Sequence, residues 1–352
     1  MPEKVRVVRV AINGFGRIGR IFFRVAYNNP SIRIVAVNDL APAKELIRAL
    51  ERDSVYGRLP FPVRSEKYDI DGIWTNHLTN FDRFTKILGE RDILKLPWKD
   101  MGVDIVVDCT GIFTTKETLS KHLEAGAKRV VLSAPPKDDI VTFTPRINEE
   151  SGRNEQITAN SSCTTNAANP IISILKRMMI LEEVMLTTVH AYTASQSLVD
   201  GLGSEKDPNR GRAAALNIIP STTGAAKEIV KFHPKLIGKS NGISVRVPVP
   251  TGSLLDLVFL MKDNCMAPGE INTLLTDASN TETWRDIIEV SQDPLVSTDV
   301  VGNLHACVVD ASFTRTTERL GKILAWYDNE MGYCSMLLKH VLKVAEFLTG
   351  KV

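Results

Sequence analysis

Residues Val5–Arg20, VRVVRVAINGFGRIGR, decide the fold. Apolar residues dominate from Val5 to Ile12 and run into glycines, the pattern of a buried strand with a tight turn behind it. Gly14, Gly16 and Gly19 then form G-x-G-x-x-G, and Arg20–Asn28 reads as a helix. The first glycine permits the turn, the second lets a pyrophosphate approach the backbone, and the third allows helix and strand to pack closely. A helix start placed there offers free N–H groups and a partial positive charge to phosphates.

Working outward, Ile32–Val37 is a second buried strand, and Asp39 closes it twenty residues beyond Gly19. A carboxylate there would accept hydrogen bonds from ribose hydroxyls and repel a 2′-phosphate, so NAD is expected rather than NADP. The bland alternative, a tight turn and a strand-end cap, accounts for the glycines and Asp39 separately but not for their spacing. Val103–Val107 and Val130–Leu132 are further short β-branched runs. Between them Thr114 stands three residues before Glu117 as a capping box, with the helix stopping at Gly126. This alternation predicts a mostly parallel sheet with helices on both faces.

After about residue 160 the texture changes. Val184–His190, Gly242–Val249, Leu254–Leu260 and Cys307–Ser312 read as longer strands, and Glu330–Lys351 as an amphipathic terminal helix. The expected fold class is α/β: a Rossmann-type doubly wound parallel-sheet domain, plus an α+β catalytic domain with a mostly antiparallel sheet. The expected division is 1–162 with 328–352 returning to it, and 163–327.

With 352 residues, 43% hydrophobic and 24% charged, the chain suits two globular domains and excludes a disordered or fibrous reading. A net charge of +2 gives no field for a dedicated nucleic-acid partner. The cysteines, Cys109, Cys163, Cys265, Cys307 and Cys334, are scattered and form no C-x-x-C pair, so no metal site is expected and a reducing compartment fits best. MPEKVRVVRV lacks the pattern of a signal peptide and no apolar run has the length of a membrane span, so the expectation is a cytoplasmic protein.

SSCTTN, Ser161–Asn166, sets Cys163 among hydroxyl residues just before an apolar helical run, Ile171–Met179, with Pro170 in an early turn or at a kink. A thiol at a helix N-terminus is activated by the dipole and nearby N–H donors. On its own, such a cysteine reads equally well as a small buried residue. His190 ends a strand in TTVHAYT, where an imidazole could stabilise a thiolate or take a proton from a thiohemiacetal hydroxyl. Spacing alone does not bring the two side chains together.

Six segments in order resemble the phosphorylating glyceraldehyde-3-phosphate dehydrogenases: INGFGRIGR, SSCTTN, TTVHAYT, RGRAAALNIIPSTTGAA from Arg210, SVRVPVP around Arg246, and WYDNEMGY from Trp326. The resemblance implies a homotetramer that oxidises glyceraldehyde 3-phosphate with NAD through a hemithioacetal and thioester on Cys163, assisted by His190. Inorganic phosphate would then release 1,3-bisphosphoglycerate. It implies that Thr193 and Arg246 hold the substrate's phosphate, that Ser162, Thr164, Thr223 and Gly224 receive the attacking phosphate, and that Arg210 lies beside both. Cofactor contacts are implied for Asn13, Gly14, Gly16, Arg17, Ile18, Gly19 and Asp39, for Arg91 and Ser133 near the adenine and nicotinamide ends, and for Asn329 at the carboxamide. Guanidinium forks and hydroxyl donors suit two phosphate oxyanions.

The chain departs from the family pattern at Ala167, where many members carry a second cysteine, and at Ser161, commonly alanine. Erythrose-4-phosphate dehydrogenase is the nearest rival, but the STTGAA loop is intact, which favours phosphorolysis over hydrolysis. A semialdehyde dehydrogenase would lack HAYT and WYDNEMGY. A chain acting mainly as an RNA-binding protein would have no need of Cys163 and His190 together.

Overall fold

Val8–Asn13 and Ile105–Asp108 are strands buried on both faces, which is why they read as unbroken apolar runs rather than alternating ones. Each fully buried aliphatic side chain among them contributes about 1.5–3 kcal/mol. The computed structural model describes residues 6–60, 63–64, 72–76, 82–263 and 266–350; Val5, Cys265 and Lys351 lie outside them. The chain divides into two units, Met1–Ser161 with Leu337–Val352, and Ser162–Met336.

In the first unit the described strands form a nine-stranded sheet. Its order is Val141–Thr142, Ile157–Ala159, Arg129–Leu132, Ile105–Asp108, Val8–Asn13, Ile32–Asn38, Asp82–Leu88, Gly72–Asn76 and Val63–Arg64. Pairing is parallel from the first of these to Asp82–Leu88, and antiparallel for the last two, which the sequence reading did not find. The chain moves from Val8–Asn13 to one side and returns to the other at Ile105–Asp108, so the strand order reverses between them. In open α/β sheets that reversal, at the carboxyl ends of the strands, is where ligands bind.

Helix boundaries differ from expectation for identifiable reasons. The first helix runs Arg17–Ala26, starting three residues early because Gly16 is its N-cap. The capping box is Thr115–Thr118, one residue later than expected, because the Thr118 hydroxyl answers the Thr115 amide; Glu117 instead complements the dipole in the first turn. That helix ends at Glu124, and Gly126 takes φ +107°, which stops it.

The second unit holds a seven-stranded sheet among the described residues, in the order Ile219–Thr222, Ser240–Val247, Leu181–Ala191, Ser253–Met261, Leu320–Tyr327, Cys307–Thr316 and Ile288–Ser291. Only Ser240–Val247 with Leu181–Ala191, and Ile288–Ser291 with Cys307–Thr316, are parallel. Ser253–Met261 alternates buried and half-buried residues along its length, the pattern of a sheet covered on one face. Helices Cys163–Leu175, Ala225–Phe232 and Pro268–Ser279 belong to this unit. The first begins at Cys163, well before the expected Ile171, and keeps Pro170 inside it. The terminal helix is Met331–Thr349. No described helix is long and apolar enough to cross a membrane.

Candidate active site

The glycine loop is built by close approach. Gly14 takes φ +87°, and a Cβ there would lie 2.7 Å from the Thr110 amide nitrogen; a Cβ on Gly19 would lie 2.1 Å from the Gly14 carbonyl oxygen. Gly16 has open space where its Cβ would be, so its backbone can be approached from outside. This cradle fits a dinucleotide pyrophosphate. Asn13, Asp39, Arg91 and Ser133 all stand at or just beyond carboxyl ends of parallel strands, the rim at which open α/β sheets take ligands. The Asp39 carboxylate is held by the Phe15 and Ala41 N–H groups at 2.7 and 3.0 Å. Arg17 turns its guanidinium onto Asp53 in a bidentate pair at 2.9 and 3.2 Å, while Arg17 and Ile18 open the helix.

Beneath the loop lies a buried polar network that no sequence pattern announced. Asp108 Oδ2 accepts Asn13 Nδ2 at 2.8 Å and faces His122 Nε2 at 3.2 Å, and Trp98 Nε1 donates to His122 Nδ1 at 2.9 Å. A bare Nδ1 places the proton on Nε2, aimed at Asp108.

In the second unit, Cys163 is the first residue of its helix, with Ser162 as N-cap accepting the Thr165 N–H. Its Sγ lies 3.4 Å from His190 Nε2. His190 and Arg246 are register partners on the parallel strands Leu181–Ala191 and Ser240–Val247, which sets their side chains next to each other on one face. Arg246 NH1 lies 3.0 Å from His190 Nδ1 and 3.1 Å from the Ala191 carbonyl oxygen. Its buried Nε has no hydrogen-bond partner among the described residues, a donor held ready for an anion.

Burial holds His190 neutral, pushing its pKa down to about 3, and the Arg246 charge adds to this. Burial pushes the Cys163 thiol up, while Arg246 and hydrogen bonds from Thr164 pull it back. The resting pair is thus a thiol beside a neutral imidazole, with the guanidinium as the main force favouring thiolate.

Among the phosphate-binding candidates, Arg210 is joined to Thr193 through Ser195 and acts electrostatically on Arg246. Arg210 Nε meets Asp207 Oδ2 at 2.8 Å and Ser221 Oγ at 2.9 Å, and its NH1 meets Ser195 Oγ at 3.1 Å. Ser195 in turn contacts Thr193 Oγ1 at 2.9 Å. A cavity of about 400 Å³ opens here, lined by Ser195, Asp207, Arg210 and Thr222 among others. Arg210 lies close enough to lower the pKa of both His190 and Arg246. Thr223 and Gly224 form the turn before the Ala225–Phe232 helix, with open space beside Gly224.

Three residues escaped the sequence reading. The Tyr327 hydroxyl bridges Thr164 Oγ1 at 2.9 Å and Thr188 Oγ1 at 2.6 Å, and its ring packs edge-on against His190. Asp207 anchors Arg210. Glu228 is buried against the start of the Cys163 helix, and its signal was available: with Ala225, Ile229 and Phe232 it falls on one buried stripe, where a carboxylate is out of place. Asn329, expected at the carboxamide, has its Oδ1 held by Ser253 Oγ at 2.9 Å and Thr251 Oγ1 at 3.3 Å, which orients its amide. Among the described residues no group of three or more His, Cys, Asp or Glu side chains could hold a metal ion.

Residues 8–116 match the family model for the glyceraldehyde 3-phosphate dehydrogenase NAD binding domain, and residues 162–329 match that for the C-terminal domain. Glyceraldehyde-3-phosphate dehydrogenase 1 of Bacillus subtilis is 42% identical over 342 residues, covering 96% of this chain and 98% of its own. The glyceraldehyde-3-phosphate dehydrogenase of Haloarcula vallismortis is 40% identical, covering 97% and 98%. That of Streptomyces coelicolor is 40% identical, covering 94% and 96%. With both domains matched and identity sustained over nearly the whole chain, this protein belongs to the glyceraldehyde-3-phosphate dehydrogenase family.

Proposed function

We propose that the chain is a phosphorylating, NAD-dependent glyceraldehyde-3-phosphate dehydrogenase, making 1,3-bisphosphoglycerate from glyceraldehyde 3-phosphate, NAD and inorganic phosphate. The observation that carries this reading is the Cys163 thiol 3.4 Å from His190 Nε2, with Arg246 against the other nitrogen of the same ring. As sulfur adds to the aldehyde carbon, His190 Nε2 takes the thiol proton and passes it to the former carbonyl oxygen. NAD, when bound, supplies the two-electron acceptor that lets this hemithioacetal become a thioester. His190 takes back the hydroxyl proton during that oxidation. When phosphate attacks the thioester carbon, the C–S bond breaks and His190 returns its proton to the sulfur.

In this reading Thr193 and Arg246 hold the phosphate of the aldehyde, and Ser162, Thr164, Thr223 and Gly224 take the attacking phosphate, with Arg210 beside both. Asn13, Gly14, Gly16, Arg17, Ile18, Gly19, Asp39, Arg91, Ser133 and Asn329 hold NAD. A homotetramer acting in the cytoplasm belongs to the same proposal. Exposed Leu198, Val199, Leu202, Leu216 and Ile218 support self-association, which light scattering on the purified protein would measure.

The deciding experiment follows NADH by absorbance with aldehyde and NAD, with and without inorganic phosphate, beside Cys163→Ala. Sustained turnover should need phosphate, and the variant should be inactive. Equal turnover without phosphate would mean that the acyl enzyme is hydrolysed, and would overturn the phosphorolytic assignment.

A further inference from the structure

Glu228 has no part in the chemistry above, yet it is 5% exposed and touches the residues on either side of the nucleophile. Its Oε2 accepts the Thr165 hydroxyl at 2.9 Å and the Ser162 backbone N–H at 3.2 Å. A hydroxyl carries one proton. Since Thr165 gives its proton to the carboxylate, the 2.6 Å contact between Ser162 Oγ and Thr165 Oγ1 must be donated by Ser162. Ser162 Oγ at the same time accepts the Thr165 N–H at 3.2 Å as N-cap. Both protons that Ser162 could offer an anion, its hydroxyl and its amide, therefore point inward.

Phosphate is met by donors, and a hydroxyl presenting lone pairs repels it. We propose that Glu228, acting through Thr165, turns the Ser162 hydroxyl away from the attacking phosphate and thereby sets a weak affinity for inorganic phosphate; this rests on the reading of Ser162 as part of that phosphate's site. Glu228 and Thr165 are then positioning residues. To donate outward, Ser162 must first break a short hydrogen bond, a cost that appears as a severalfold loss in affinity.

Thr165→Val keeps the shape and the capping amide but removes the acceptor that holds the Ser162 proton. Glu228→Ala frees the Thr165 proton to point at Ser162, with the same result. Glu228→Gln removes the charge but keeps an amide oxygen to accept both donors. Phosphate affinity of the NAD-loaded enzyme is read from protection of Cys163 against iodoacetamide by inorganic phosphate, and independently from the KM for phosphate. Thr165→Val and Glu228→Ala should each tighten phosphate binding by about threefold or more, with no matching fall in the KM for aldehyde, while Glu228→Gln should stay near the parent.

Unchanged or weaker binding in Thr165→Val overturns the proposal, as does tightening confined to the two Glu228 variants, which would make charge the cause. If Thr165→Val does not fold, the contrast between Glu228→Ala and Glu228→Gln decides, and equal tightening in both overturns it. Because protection needs no turnover, tightening in an enzyme that fails to oxidise the aldehyde would sustain the Ser162 orientation and sink the proposed reaction instead.

Discussion

Arg246 NH1 and His190 Nδ1 lie 3.0 Å apart, on the side of the imidazole away from the thiol. The same Nδ1 lies 2.7 Å from the Ala191 carbonyl oxygen, and we assign its proton to that shorter contact, leaving Nε2 bare toward Cys163. Arg246 therefore acts on both partners, keeping the imidazole neutral and drawing the thiol toward thiolate. In Arg246→Leu the alkylation profile of Cys163 should move to higher pH, and kcat/KM for the aldehyde should fall by about 100-fold or more through loss of charge-assisted phosphate contacts. In His190→Asn the chemical step should slow by about 10²–10⁴-fold with little change in KM. An alkylation profile unmoved by Arg246→Leu would contradict the electrostatic role.

The Trp98–His122–Asp108–Asn13 network should govern how rigidly the glycine loop is held. Asn13 Oδ1 accepts Asn38 Nδ2 at 2.8 Å, and the Asn38 carbonyl accepts the Gly14 N–H at 2.8 Å, so the chain of contacts ends in the loop itself. Trp98→Phe releases His122 to the other tautomer and leaves a buried acceptor unmet, at a cost of about 1–3 kcal/mol. Denaturant unfolding should show that loss, and calorimetry should show NAD binding weakened by about 2–10-fold. Unaltered NAD affinity would confine the network to stability.

Acid should destabilise the fold through its buried histidines. Burial pushes His190 down to about 3 and His233 to about 4, and holds His340 well below its ordinary value. Their folded pKa values lie below the unfolded value of about 6.5, so the unfolded chain binds more protons as pH falls through that window. The stability is whole above about pH 6.5 and is lost toward pH 4, by about 1.4 kcal/mol per histidine per pH unit. Urea midpoints should drop between pH 7.5 and 5; equal midpoints would mean that these rings are not held neutral.

Oxidation of Cys163 should stop at sulfenate or pass to mixed disulfides. One turn along its helix stands Ala167, which offers no resolving thiol, and burial pushes Cys109 up to about 12 and Cys307 higher still. Mass spectrometry of peroxide-treated protein would show this, and an efficient internal disulfide at Cys163 would refute it.

Local pattern was enough for the glycine loop and the strand–helix–strand unit that frames it, though not for the two antiparallel strands of that sheet or the polar network beneath the loop. A buried strand, three glycines at fixed spacing and Asp39 lie within one strand–helix–strand unit, where contacts are short in sequence and each residue type answers a local backbone need. Cys163 at a helix start was legible for the same reason, although the apolar run alone put that start too late. The sequence also displayed Glu228 on a buried helical stripe without saying what it touched. Tertiary structure alone decided that His190 and Arg246 share one register position, that Tyr327 joins Thr164 to Thr188, and that Glu228 meets Ser162. Those contacts join residues tens to more than a hundred positions apart, and no local periodicity encodes them. They exist because strand pairing and helix packing bury large apolar faces, and the free energy of that burial holds a few polar groups at distances that spacing along the chain does not set.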